Sequence, residues 1–290
     1  MESNELRIFR AVAQTGSITK AAQALGYVQS NVSARIQQLE YNLKTQLFYR
    51  QRGMILTPTG EKLLAYAEKI IYLLDEAHKA LNDSCDPFGN LSIGAVHTVS
   101  SIRLPEILSQ YHRAYPKVDL SLITSQSDEL IYKVKHFQLD GAFVKAPSLS
   151  DKNIVSELVF EETLVLISNS KYTKMEDLYS KPFLMSTTGC PNRTQLENWL
   201  KSKRIYNIRY MEFNSLNSII EGVMADLGAS FVPKSTIEDY EEKGLLKSFS
   251  VPEKYNTTRT FFIRQKDSLM TNSLSKFIEM IELNTSYKRI

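Results

Sequence analysis

Residues 28–40 read VQSNVSARIQQLE, and their side chains suit hydrogen bonding rather than catalysis. On a helix at about 100° per residue, Val32, Ile36 and Leu39 fall on one side. Ser30, Ala34 and Gln37 fall opposite, flanked by Ser33 and Gln38, with Gln29, Asn31 and Arg35 completing the polar surface. A merely solvated face would be rich in Lys and Glu, which form helices well and keep a surface soluble. This one presents short hydroxyls, carboxamides and an alanine. A second set of polar groups lies further along the chain, each just past an apolar run: Thr98, Ser100 and Ser101 in GAVHTVSS, Ser125 and Ser127 in TSQS, Lys145 after GAFV, and Thr187, Thr188 and Arg193 in STTGCPNR. At the carboxyl ends of strands, where helices begin, free N–H groups and hydroxyls favour an anion. Each of these hydroxyls also has a plain reading as a helix cap, and Lys145 as a solvated side chain.

Signals for other chemistry are weak. His78, His97, His112 and His136 have no spacing with Cys85 or Cys190 that suggests a zinc site, and no G-x-S-x-G, Walker or G-x-G-x-x-G pattern occurs. No metal, cofactor or catalytic residue is therefore expected. Cys190, beside a Gly and ahead of a helix, reads either as a reactive thiol or as a small buried hydrophobe.

The elements that must position these groups follow from composition and periodicity. At 290 residues the chain calls for two or three domains, and 43% hydrophobic with 23% charged residues is ordinary for a globular protein. With no leader ahead of the first periodic segment at Glu5 and Leu6, no apolar run near the length of a membrane span and only two cysteines, the reading is a cytoplasmic chain with reduced thiols. The formal charge of +3 is unevenly spread: residues 1–60 carry seven Arg and Lys against three Glu, a surplus of +4, which leaves −1 for the remainder. A basic N-terminal unit on a near-neutral body points to a polyanion contact confined to that unit.

Leu6, Phe9, Val12 and Ala13 form a helical stripe closed by Gly16. Ser17 or Thr19 then caps a short helix, KAAQALG, that ends at Gly26. With the VQSNVSARIQQLE helix after it, this is a helix-turn-helix pattern. LFYRQRGMILTPTG has two short apolar runs around RQRG, the shape of a hairpin wing with Arg50 and Arg52 at or near its tip. Thr57 and Pro58 open a long helix in which Leu63, Ala67, Ile70, Leu74, Ala77 and Leu81 recur at 4, 3, 4, 3 and 4. Such a seam wants either a partner helix or a place in its own domain. NDSCDPFGN supplies Asn, Asp, Pro and Gly for a domain boundary. Beyond residue 90, apolar runs (LSIGAV, KVDLSLIT, LDGAFV, TLVLIS, KPFLMS, IRYMEF, ASFVP, RTFFIRQ) alternate with amphipathic segments, which implies α/β units with parallel strands.

The N-terminal stretch resembles the DNA-binding domain of the LysR-type transcriptional regulators. The resemblance rests on Phe9, Gly16, Ser17, Ala21, Ala22, Leu25, Gln29, Val32, Ser33, Ile36, Leu39, Glu40, Leu47, Phe48, Arg50, Leu56, Thr57 and Gly60. One departure is Ser30, where that family most often has Pro, so the helix is expected to start differently. The resemblance extends more loosely through YPKVDLSL, ELIYKVKHFQLDGAF and ADLGASFVP, with Ser125 and Asp226 where Gly or a small residue is common. It implies a winged helix-turn-helix domain at residues 1–60, a linker and dimerisation helix at 58–86, and a periplasmic-binding-protein-like α/β effector domain at 90–290. The last would comprise subdomains of about 90–162 plus 265–290, and 163–264, joined by two crossover strands.

On that frame the polar helix face is a reading face. Hydroxyls and carboxamides hydrogen-bond base edges in a B-DNA major groove, and Ala34 approaches a thymine methyl. Gln29, Ser30, Asn31, Ser33, Ala34, Arg35, Gln37 and Gln38 would meet DNA, with Arg50 and Arg52 on phosphates. The expected function is a promoter-binding regulator, homodimeric or homotetrameric, that answers to a small effector, an anion among the classes the site favours, and contacts RNA polymerase but no membrane. The competing classes are a sensor acting mainly through a protein partner and a cytosolic enzyme. The wing arginines and the groove-sized helix count against the former, and the missing catalytic motifs against the latter.

Overall fold

The computed structural model describes residues 1–50, 53–81, 86–186 and 190–286, which form two compact units. Among the described residues, no helix is long and apolar enough to cross a membrane.

The smaller unit begins with α1 (Ser3–Thr15), α2 (Ile18–Leu25) and α3 (Gln29–Leu43). Gly16 at φ 63° and Gly26 at φ 69° end the first two helices in the left-handed conformation that a Cβ disfavours. Ser17, rather than Thr19, caps α2 by accepting a hydrogen bond from Lys20 N–H. With Ser30 in place of Pro, α3 starts at Gln29 after Val28, and Ser30 stands exposed in its first turn. Phe9, Val12, Ala21, Val32, Ile36 and Leu39 fill one core. Burying each large apolar side chain there contributes about 1.5–3 kcal/mol before entropy is counted.

Strands β1 (Phe48–Tyr49) and β2 (Ile55–Leu56) pair antiparallel as the wing, and α4 (Pro58–Leu81) follows. Thr57 Oγ1 accepts from Gly60 N–H at 3.0 Å and donates to the Gln46 carbonyl at 2.8 Å, so it caps α4 and ties it to the wing. A Cβ at Gly60 would stand 2.2 Å from the Leu47 carbonyl oxygen, so this residue must be glycine for the two segments to meet. The heptad seam divides. Ala67 is buried in the unit's own core and Leu63 and Ile70 pack against it, while Leu74 and Ala77 are exposed; the Leu81 side chain is outside what the structure describes. Periodicity recorded two neighbouring stripes as one. Beside the inward row, Tyr66, Leu73, Leu74 and Ala77 face away from the core, with Tyr66 69% and Leu73 45% exposed.

The larger unit opens with β3 (Gly89–Ala95), α5 (His97–Ile102), α6 (Leu104–Ala114), β4 (Val118–Thr124), α7 (Ser127–Lys135) and β5 (Gly141–Lys145). β3 pairs in parallel with both β4 and β5. The long β6 (Ile154–Asn169) then leads to β7 (Phe183–Met185), α8 (Pro191–Ser202), β8 (Tyr210–Glu212), α9 (Leu216–Met224), β9 (Ser230–Pro233), α10 (Glu238–Glu242) and β10 (Leu246–Ser250). β11 (Thr257–Gln265) returns to the first half and α11 (Asn272–Ser286) closes it. The main sheet runs β10-β6-β11-β5-β3-β4, with β9 also on β6. The expected parallel pairing holds for β3, β4 and β5 and for β7 with β8, but every partner of β6 is antiparallel. The expected subdomain limit at 162/163 falls inside β6, which serves both halves.

Alternation on the strands sorts the layers. Phe143 and Phe262 pack with Leu104, Ile107, Tyr111 and Phe277 of α6 and α11 on one face, while Ala142, Val144 and Ile263 meet Leu130 and Val134 of α7 on the other. Asp226, where a small residue was expected, adopts φ 62° after α9 and pairs with Lys171; Asp tolerates this conformation better than most side chains.

Gly60→Ala is expected to destabilise the N-terminal unit by about 3 kcal/mol, because the contact it forces is with backbone. Thr57→Ala should cost roughly 1–2 kcal/mol through the lost cap. Urea unfolding midpoints check both, and an unchanged midpoint for Gly60→Ala would contradict this packing of α4 on the wing.

Candidate nucleic-acid interface and effector site

Two groups of residues carry the candidate chemistry. On α3, Val32, Ile36 and Leu39 are buried, whereas Gln29, Ser30, Asn31, Ala34, Arg35, Gln37 and Gln38 are exposed and Ser33 is half-buried. The helix therefore splits along the two faces read from its sequence. Gln38 Nε2 donates to Asn42 Oδ1 at 2.9 Å, and Arg35 has no ion pair among the described residues.

Glu40, at the end of α3, fixes the wing to this helix. Its Oε1 accepts from the N–H groups of Leu47 at 2.8 Å and Phe48 at 3.3 Å, and its Oε2 from Arg50 at 2.6 Å. Arg50 is thus already paired with a carboxylate, and its first role is to complete the brace. Arg52 lies outside the described residues.

In the larger unit the candidates that follow β3, β4 and β5 stand at neighbouring carboxyl ends of parallel strands, and several of their polar groups are already engaged. Thr98 and Ser100 are half-buried and Ser101 exposed on the short helix α5, and the Ser100 hydroxyl is engaged by the His97 carbonyl at 3.0 Å. Ser125 donates to Glu129. Ser127 Oγ exchanges hydrogen bonds of 3.1 Å with the N–H and carbonyl of Lys145, so it holds the end of β5 in place. Arg193 is consumed by Glu212 at 2.6 Å, Glu197 at 3.3 Å and the Tyr210 ring at 4.0 Å, which fasten α8 to β8. Thr187 and Thr188 lie outside the described residues. Cys190, half-buried, is a free thiol immediately before α8.

Lys145 is the exception. Only 5% exposed, it sets its Nζ 3.6 Å from Glu162 Oε2 and has no hydrogen-bond partner among the described residues. Glu162, on β6, receives Arg103 at 3.0 Å and Ser235 at 2.9 Å on its other oxygen. Arg103 lies over the Phe160 ring at 5.6 Å. Cross-strand pairing puts Lys145 opposite Thr260, Thr260 opposite Phe160 and Thr258 opposite Glu162, so all five share one sheet face. Arg103 comes from the first half of the unit and Ser235 from the second. A cavity of about 430 Å³, lined by Glu161, Glu162, Thr163, Glu253, Asn256 and Thr257, opens beside Glu162.

The sequence did not reveal Arg103, Glu162, Ser235 or Thr260. Burial lowers the Lys145 ammonium from its ordinary range, opposed by Glu162 and, more weakly, by Cys190. Burial pushes the Glu162 carboxyl up, but Lys145, Arg103 and the hydrogen bonds from Ser235 and Arg103 outweigh it and hold the group below the usual carboxylate range.

Comparison with known proteins bears on both groups. Residues 3–61 match the family described as bacterial regulatory helix-turn-helix protein, lysR family, and residues 86–284 match the LysR substrate binding domain. The HTH-type transcriptional regulator SoxR of Arthrobacter sp. (strain TE1826) is 45% identical over 283 residues, covering 97% of each chain. The HTH-type transcriptional regulator CzcR of Bacillus anthracis is similar to the same extent, 45% over 97% of each chain. Among solved structures, a full-length OxyR variant from Pseudomonas aeruginosa superposes with a TM-score of 0.74 at 22% identity, over 98% of this chain and 94% of that one. Full-length CbnR complexed with its target DNA gives 0.66 at 22% identity, over 98% and 100%.

The lowered Lys145 value has a consequence for stability. A lysine harder to protonate when folded penalises the fold at neutral pH, and the penalty fades as pH rises toward its ordinary 10.5. Wild-type protein should therefore gain stability relative to Lys145→Met over the alkaline interval that ends near pH 10.5, read from chemical denaturation at each pH. A difference that stays constant over that interval would show that Lys145 is solvated.

Proposed function

On the premise that the chain belongs to the LysR family of bacterial helix-turn-helix transcriptional regulators, we propose that it reads promoter DNA with the outward face of α3 and answers to a small effector held between the two halves of its larger unit. The observation that carries the first part is the exposure of hydroxyl and carboxamide side chains along one face of a helix whose other face is buried. Gln29, Ser30, Asn31, Ser33, Ala34, Gln37 and Gln38 meet base edges or the adjoining backbone, while Arg35 and Arg52 supply cations for phosphates. Arg50 acts there only so far as Glu40 releases it.

The effector part draws support from the match of residues 86–284 to a substrate-binding domain and from the buried polar cluster around Glu162. Occupancy changes the angle between the halves, and thereby the spacing of DNA-binding domains in the assembled protein. The chain works in the cytoplasm as a homodimer or homotetramer, in contact with RNA polymerase, and performs no catalysis. Assembly draws on the exposed α4 side chains Tyr66, Leu73, Leu74 and Ala77, of which Tyr66 and Leu73 are one heptad apart.

Gel-shift selection on randomised operator DNA tests the reading face. Gln37→Ala should change the preferred sequence, while Arg52→Ala should weaken every site alike and reduce the salt slope by about one. An unchanged preference after simultaneous substitution of Ser30, Ala34 and Gln37 would remove α3 from base reading. For assembly, Leu74→Asp puts a carboxylate into an apolar seam, at a cost of several kcal/mol unless the chains separate. Light scattering should register a smaller particle, and the wild-type mass would locate the subunit contacts elsewhere.

A further inference from the structure

The cluster around Glu162 holds one cation too many. Arg103 and Lys145 share a single carboxylate, both of whose oxygens are engaged: Oε1 by Arg103 and Ser235, Oε2 by Lys145 at the longer distance of 3.6 Å. Buried charge is costly unless paired and hydrogen-bonded, so a lone positive surplus in this setting calls for a counter-charge. Three polar atoms in the same place are buried without a hydrogen-bond partner among the described residues: Lys145 Nζ, Arg103 Nε and Thr260 Oγ1. Thr260 is completely buried and lies directly across the ladder from Lys145, so its hydroxyl and the ammonium rise from one sheet face. Arg103 reaches this face through its stacking on Phe160, which is itself the cross-strand partner of Thr260.

All three atoms can donate. Each would be satisfied by an oxygen anion, and the surplus charge is matched by a single negative unit. A dianion would leave the cluster negative, and a neutral ligand would leave the surplus uncompensated. We propose that the effector carries a single carboxylate, received by Lys145 Nζ, Arg103 Nε and Thr260 Oγ1, with Glu162 keeping the two cations in position beforehand. This deepens the reading of the larger unit as an effector domain and rests on it.

The placement gives the carboxylate a route to regulation. Through one oxygen, Glu162 joins Arg103 of the first half to Ser235 of the second. A second carboxylate drawing on Arg103 competes for that guanidinium and alters the tie between the halves.

The experiment uses the full-length protein with sodium acetate as the carboxylate probe, and sodium phosphate, sodium sulfate and sodium chloride at matched ionic strength. The wild-type melting temperature should rise saturably with acetate, by about 3 °C at concentrations some tenfold above half-saturation. The rise should exceed that in any of the other salts. Lys145→Met and Thr260→Val should each lose most of the acetate shift. Thr260→Val is the safeguard on folding: it swaps a buried hydroxyl without a partner for a methyl group of similar shape and should melt no lower than wild type in chloride. The proposal is overturned by an acetate shift equal in wild type and both variants, by no saturable shift in wild type, or by a larger response to phosphate or sulfate. Footprinting of operator DNA in the same acetate series separates the two layers. Acetate that binds through Lys145 without altering the footprint would uphold the carboxylate site and retire the regulatory reading of the domain.

Discussion

One strand organises the larger unit. β6 is sixteen residues long; its first part lies beside β11 and its second part between β9 and β10, so a single continuous backbone contributes to both halves. Every neighbour on it runs antiparallel, in contrast to the parallel β3-β4 and β3-β5 pairs built on strand-helix-strand connections. The polar cluster sits where the two parts meet. Glu162 is the last but one residue before β6 changes partners from β11 to β9, and the side chains that converge on it come from both directions. The ladder that joins the halves and the carboxylate between them are thus parts of one element.

In the smaller unit the comparable device is the hydrogen bonding around Leu47. Its N–H is held by the Glu40 carboxylate, its carbonyl receives Thr57 N–H at 2.9 Å, and that same oxygen closes off the space beside Gly60. Three segments, α3, the wing and α4, are therefore registered against one residue, Leu47. The polar face of α3 stays exposed because the brace is built at its C-terminal end, through Glu40, and does not engage the exposed residues of the first turns.

Local rules made much of this legible. Gly16 and Gly26 punctuated the first helices, Thr57 announced the cap of α4, and Val32, Ile36 and Leu39 declared which side of α3 is buried. Information that depends on distant partners was not available in the same way. The segment IVSELVFEE carries Glu157, Glu161 and Glu162 and gives no apolar run, yet it is strand because β11 pairs with it. Contacts with residues 17, 59 and 73 positions away distinguish the largely covered Glu162 from its half-exposed neighbour Glu161. β10 also escaped notice, since LKSFS has a single fully buried residue. The heptad pattern of α4 mixed a core-facing row with an exposed one, because two rows of apolar residues on adjacent faces of a helix share the same spacings.

The clean division of α3 also bears on how such a protein changes over time. Its core is filled by Val32, Ile36 and Leu39, while Ser30, Ala34 and Gln37 contribute nothing to that core. Substitutions on the outer face leave the fold's stability nearly untouched, so under the proposed reading of α3 drift in the preferred operator is decoupled from drift in folding. Under that same reading, duplicated copies of the gene would diverge toward different promoters by a few outer-face changes, without passing through unstable intermediates.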